Sequence, residues 1–287
     1  MVYLLQGAAS ILFRLHSYSY FKLARHPTEP VLGYWYKAPR TPVSTRGPIV
    51  VIHGVGSVLP LIRLVTRLAD RAQHRHIFIL DLGHVSMRLP RPSRFPSPEG
   101  TCSQVCAMLD QHISPDPISL KATIFTHSLG SAYAVWMLKV APERIAGLVL
   151  CGPISILLQH PAVTYNFLYR KSLTATEMFF EWIAREQGIA LTLARHFHWF
   201  QNLFPMILDV DCTGTRFFPQ DLRAAIFLSE RDCIVPSARI AQVIGQGKRD
   251  NVDVYVMPEL DHGGFVFHDQ WLEKVVQSLL EIDIKYK

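Results

Sequence analysis

Six short runs of β-branched and aliphatic residues recur along the chain between segments of helical length, and this alternation constrains the fold most. The runs are Ile49 to His53, His76 to Leu80, Ala122 to Phe125, Ala146 to Leu150, Ala224 to Leu228 and Val252 to Val256. Between most of them lie helical patterns: Leu59 to Ala72, Cys102 to Ile113, Ser131 to Val140, Ser237 to Gly245, and after the last run Gln270 to Ile282. A strand that is apolar throughout must be buried on both faces, and helices that cross over between such strands make the sheet parallel. The pattern therefore predicts an α/β protein, with a mostly parallel central sheet and helices on both sides. One interval breaks the rhythm: about seventy residues separate Leu150 from Ala224. Its helical periods and aromatic residues predict a helical cap inserted between two strands. The expected organisation is an N-terminal helix and connection over 1–47, core over 48–152, cap over 153–221 and core again over 222–287.

A chain of 287 residues, 49% hydrophobic and 18% charged, can bury one large core and has none of the composition of a disordered segment. Its formal net charge is +6, but residues 1–47 hold Arg14, Lys22, Arg25, Lys37, Arg40 and Arg46 against Glu29 alone, a net +5. The rest of the chain is almost neutral. Tyr18, Tyr20, Phe21, Tyr34, Trp35 and Tyr36 interleave with these cations, yet no groove-reading motif accompanies them, so nucleic acid is not expected as a partner. Leu4, Leu5, Ala8, Ile11, Leu12 and Leu15 recur at helical spacing opposite Gln6, Ser10, Arg14 and Ser17. This stripe is too short to span a bilayer and lacks the basic flank of a secretory signal. It predicts a helix that either docks on the body or binds an intracellular membrane peripherally through residues 1–25. Pro39, Pro42, Gly47 and Pro48 mark a turn-rich connection. The five cysteines, at 102, 106, 151, 212 and 233, lack paired zinc spacing and read as reduced intracellular thiols.

Phe125-Thr126-His127-Ser128-Leu129-Gly130-Ser131 stands directly between an apolar run and a helical pattern. It resembles the nucleophile elbow of the α/β-hydrolases, G-x-S-x-G, with Thr126 in place of the first glycine. A strained strand-to-helix turn needs small neighbours, and the β-branch of Thr126 predicts a slightly displaced elbow. A hydroxyl is a weak nucleophile, so an acid and a base should follow in the order Ser, Asp or Glu, His. Asp232 lies in Leu228-Ser229-Glu230-Arg231-Asp232-Cys233-Ile234-Val235-Pro236, with Glu230 as the alternative carboxylate. His262 follows the last run and precedes Gly263 and Gly264, which allow a close backbone approach. Val51-Ile52-His53-Gly54-Val55-Gly56 resembles the H-G-x oxyanion loop of the same superfamily. The resemblance implies backbone donors at Val55 and Leu129, with His53 as a loop organiser. Asp81-Leu82-Gly83-His84-Val85-Ser86 resembles a shortened D-x-x-G-H-G-x-S loop and implies a structural role.

Together these motifs imply the α/β-hydrolase fold from about residue 48 onward. The segments Gly152 to Pro161, Val163 to Arg170 and Leu193 to Trp199 resemble poorly characterised α/β-hydrolase proteins common in fungi. That group commonly carries an aspartate where Gly152 stands. Tyr165, Tyr169 and Arg170 are expected either to point into the pocket or to clamp the cap to the core, with the clamp preferred. The spacing of Arg195, His196 and His198 fits packing better than a metal site.

The expected activity is hydrolysis of an ester or related acyl bond in a hydrophobic or lipid-like small molecule. Ser128 would attack, His262 act as base, Asp232 orient it, and Val55 with Leu129 hold the oxyanion. No cofactor or metal is required. Acyl transfer to another acceptor, cofactor-free peroxide chemistry and a non-catalytic membrane-associated scaffold are the alternatives, and the sequence leaves the oligomeric state open.

Overall fold

The computed structural model describes residues 2–24, 29–40, 46–88, 94–113, 121–204, 221–246 and 250–283, with side chains from residue 6 onward except that of Gln246. Arg25, Cys212 and the part of the expected cap over 205–220 lie outside the described residues, as do the side chains of Leu4 and Leu5.

All six apolar runs become strands: β3 (Ile49–Ile52), β4 (Ile77–Asp81), β5 (Ala122–His127), β6 (Ile145–Cys151), β7 (Arg223–Ser229) and β8 (Val252–Met257). They pair in parallel in the order β4-β3-β5-β6-β7-β8. Successive side chains of a strand alternate between faces, and here both faces are covered. Val50, Ile52, Phe78 and Leu80 enter one core with α3 (Pro98–His112) and α4 (Gly130–Val140). Ile49, Val51, Ile77 and Ile79 enter the other with α2 (Ile62–Arg71) and α9 (Asp269–Glu281).

Two further strands precede these. β1 (Ser19–Lys22) pairs antiparallel with β2 (Gly33–Lys37), which pairs antiparallel with β4, so the sheet has eight strands. The aromatic residues that interleave with basic ones are cross-strand partners. Tyr20 packs on Trp35 with ring centroids 5.0 Å apart, and Phe21 stacks on Tyr34 at 5.7 Å on the opposite face. Tyr34 and Trp35 are buried, which removes them from any external ligand.

The amphipathic segment forms α1 (Val2–Leu15), and its packing divides the helix lengthwise. Ala9 and Phe13 are buried, with Phe13 against Trp35 at 5.1 Å, whereas Ile11 and Leu15 are 63% and 76% exposed. Gln6 donates to the carbonyl of Ser86 at 2.8 Å, which also ties the helix to the body.

Between β6 and β7 the described chain is built from short helical pieces, including α5 (Pro161–Thr164), α6 (Ala175–Ala184) and α7 (Gln187–Leu191). A capping box opens α6: Glu177 N–H donates to the Thr174 hydroxyl, and the Glu177 carboxylate accepts from Thr174 N–H. After β7 comes α8 (Ser237–Gln246).

Candidate active site

Ser128 sits between β5 and α4 with φ of 54°, a left-handed conformation that costs a non-glycine residue roughly 1–2 kcal/mol. The turn is held from both sides. Ser128 N–H donates to the carbonyl of Cys151 at 3.0 Å, and the hydroxyl of Ser131 donates to the carbonyl of Ser128 at 2.8 Å. Such strain persists only where the surroundings over-determine it.

Room for this turn comes from two glycines. A Cβ on Gly130 would stand 2.5 Å from the Ile52 carbonyl oxygen, and one on Gly54 would stand 2.9 Å from the Ser128 Cβ. Thr126, by contrast, sits within β5, in register with Ile52 and Leu150, and is fully buried. Its hydroxyl has no hydrogen-bond partner, so its β-branch is tolerated sterically and its polar atom is left unsatisfied.

The loops after β7 and β8 bring Asp232 and His262 together. His262 Nδ1–H donates to the Asp232 carboxylate, 2.8 Å to Oδ2 and 3.0 Å to Oδ1, and both side chains are fully buried. Oδ1 also accepts from the backbone N–H groups of Ile234 at 2.9 Å and Val235 at 2.7 Å, which fixes the carboxylate. With Nδ1 committed to the carboxylate, the neutral ring carries its lone pair on Nε2. That atom is buried and has no hydrogen-bond partner. Glu230 is exposed and accepts instead from the Glu259 N–H at 2.9 Å.

Three neighbours surround the imidazole. Phe180 of α6 meets it edge-on with ring centroids 5.4 Å apart. His127 lies 5.2 Å away on another side, and burial, then the proximity of His262 and His53, holds its pKa well below the ordinary histidine value. Gly152, at φ of 52°, leaves the space that a Cβ would fill 3.0 Å from His262 Cε1. Gly263 approaches His127, where its Cβ would stand 3.1 Å from Nε2. These contacts join loops far apart in sequence, so no local pattern announces them.

His53 has the organising geometry expected of it. Its Nδ1 lies 2.6 Å from the Gly54 carbonyl and its Nε2 accepts from Leu82 N–H at 3.3 Å. Burial lowers its pKa, which keeps it neutral. The loop so held carries Val55, and Leu129 caps the N-terminus of α4, where a backbone N–H is not used by the helix itself. Both residues line a narrow pocket with Ser128. Its other walls are Ile154, Val163, Phe167, Leu193, Phe197, Trp199 and Ile234, and its volume is about 30 Å³. That exceeds the ~10–15 Å³ needed for one water but is far below the ~300 Å³ of an ordinary small-molecule site.

Tyr165 and Tyr169 are 57% and 70% exposed, and Arg170 pairs with Glu177 at 2.7 Å, so this trio does not line the pocket. His196 stacks on Phe95 with centroids 3.5 Å apart.

A parallel sheet with a strained serine after β5, an acid after β7 and a histidine after β8 defines the α/β-hydrolase class. The chain matches the Alpha/beta hydrolase family over residues 49–278 and belongs to it. Among solved structures it is similar to a bacterial membrane phospholipase A, at 14% identity and a TM-score of 0.61, covering 97% of this chain and 92% of that one. It is also similar to naproxen esterase from Bacillus subtilis, at 13% identity and a TM-score of 0.61, covering 98% and 97%. A thermostable carboxyl esterase from Bacillus coagulans gives 13% identity and a TM-score of 0.63, covering 93% and 99%. At such identities the likeness is one of fold. No curated protein sequence matches the chain.

Proposed function

We propose that this protein is a serine hydrolase that cleaves an ester or related acyl bond of a hydrophobic small molecule. The observation that carries the reading is the buried Asp232–His262 pair, whose Nε2 is left without a partner in the same loop cluster as the strained Ser128. His262 Nε2 takes the Ser128 proton as the hydroxyl attacks the acyl carbon, then returns it to the leaving group. Asp232 holds the tautomer and stabilises the imidazolium. The backbone N–H groups of Val55 and Leu129 hold the developing oxyanion. No hydrogen bond joins Ser128 to His262 in this conformation, and it closes on substrate binding, as catalytic hydrogen bonds commonly do. The reaction needs no cofactor or metal.

The apolar lining selects an apolar acyl group, and the helical pieces between β6 and β7 act as a cap that supplies most of it. The divided packing of α1 supports peripheral membrane contact. One edge docks on the body while Ile11 and Leu15, beside the exposed Arg14, remain free to enter a lipid surface. A fluorophosphonate probe tests the central claim: it labels the wild type and spares a folded Ser128→Ala variant. A folded wild type that neither labels nor turns over aryl esters is a scaffold instead.

A further inference from the structure

A second cavity stands apart from the one beside Ser128. It encloses about 260 Å³ between β1, the N-terminal part of α3 and the turn over 82–85, and shares no lining residue with the Ser128 pocket. That volume lies just under the ~300 Å³ at which small-molecule sites begin.

Its polar groups are unevenly spent. Gln104 is satisfied, accepting from Leu32 N–H at 2.9 Å and donating to the Pro30 carbonyl at 3.1 Å. Asp81 Oδ2 accepts from the Tyr20 hydroxyl at 2.7 Å and from Arg88 at 2.6 Å. With a further contact to Tyr20, this leaves part of the five-donor guanidinium unspent. Lys22 makes no ion pair among the described residues. Lys22 and Arg88 against Asp81 leave the wall with a net single positive charge and more donors than acceptors. At the inner end the His84 imidazole and Tyr133 hydroxyl engage one another at 2.7 Å. Burial takes His84 down to about 3, so this end is uncharged. Leu32, Leu82 and the Tyr133 ring add an apolar surface next to it.

A wall that is cationic at its mouth and apolar within fits a small amphiphilic anion. We propose that this cavity is a second binding site, taking a short-chain carboxylate with its head group on Lys22 and Arg88 and its tail toward Leu82 and Tyr133. The site is independent of the chemistry assigned to Ser128. It does adjoin the oxyanion loop, because the 82–85 turn is bonded to that loop through Gly56 N–H to the Val85 carbonyl at 2.8 Å.

The test is calorimetric titration of the full chain with sodium hexanoate, with hexan-1-ol as the uncharged control and hydrogen exchange to locate the ligand. Hexanoate should bind more tightly than hexanol, weaken as salt rises, and slow exchange of amides over 82–85 and 101–104. Lys22→Ala, an exposed substitution, should weaken it about tenfold, the loss expected for one charge-assisted contact. Equal binding of hexanol, indifference to Lys22→Ala, protection confined to 128–131, or no binding at millimolar hexanoate each overturns the proposal. None of these outcomes depends on whether Ser128 reacts, so the hydrolase reading stands or falls separately.

Discussion

Gly152 and His262 face one another so closely that a methyl group on the glycine would stand 3.0 Å from Cε1 and 3.2 Å from Nδ1 of the imidazole. Two effects of Gly152→Ala are therefore expected together. The left-handed φ of 52° costs about 1 kcal/mol of stability, and the displaced ring loses its alignment with Asp232. Turnover should fall by roughly 10- to 100-fold while the protein still melts cooperatively, since misplacement by an ångström has that effect on a catalytic group. Steady-state kinetics with a thermal melt checks both halves, and wild-type turnover would remove Gly152 from the site's design.

Ser128→Ala and His262→Ala should each lower kcat by about 10⁴-fold or more, and the double variant should be hardly worse, because such groups act as a unit. Asp232→Asn should be severely impaired, whereas Glu230→Gln should leave kcat unchanged, since Glu230 is spent on the Glu259 N–H. A large loss in Glu230→Gln would reassign the acid.

Trp199→Ala and Leu193→Ala are expected to enlarge the narrow pocket beside Ser128. The ratio of kcat/KM for long over short acyl esters should rise in both. A graded series of p-nitrophenyl esters measures it, and an unchanged chain-length profile would place the acyl group elsewhere.

Acid should destabilise the fold through its buried neutral histidines. His84 has a folded pKa of about 3 against an unfolded value near 6.5, chiefly because of burial. The unfolded chain thus binds the extra proton first. The stability that His84 contributes is complete above about pH 6.5 and is lost progressively as pH falls toward 3, on the order of 2 kcal/mol by pH 5. Replacing His84 with Gln should flatten this dependence in urea melts between pH 7 and 5. An unaltered slope would show that other groups set it.

Arg75 is 2% exposed and ties four parts of the chain together. It donates to the Gly47 carbonyl at 2.7 Å, the Thr123 hydroxyl at 2.9 Å and the Leu279 carbonyl at 3.2 Å, and pairs with Asp283 at 2.8 Å. Arg75→Ala should cost about 3 kcal/mol, because Asp283 then keeps only its longer contact to the partly exposed Arg46 at 3.5 Å. Chemical denaturation reads this directly.

The parallel part of the fold was legible because Ile49 to Ile52 or Ala224 to Leu228 have no polar face to present, and only burial on both sides suits them. β1 and β2 were not, because Ser-Tyr-Phe-Lys and Gly-Tyr-Trp-Tyr-Lys mix bulky rings with cations in runs too short for a period to emerge. Their strand character rests on pairing with each other and with β4, a non-local property. At the site, chain order narrowed the acid to Asp232 or Glu230 and brought His262 forward from thirteen histidines, and the contact with His262 falls to Asp232. The packing of Phe180, His127 and Gly152 around the ring arises from tertiary approach alone.

The space for the Ser128 turn is supplied by Gly54 and Gly130, one following β3 and the other following β5, while a threonine fills the position where a glycine is customary. Pattern searches that insist on that first glycine will pass over chains built this way. In this chain the space for the elbow is accordingly set by a pair of residues 76 positions apart rather than by a pentapeptide.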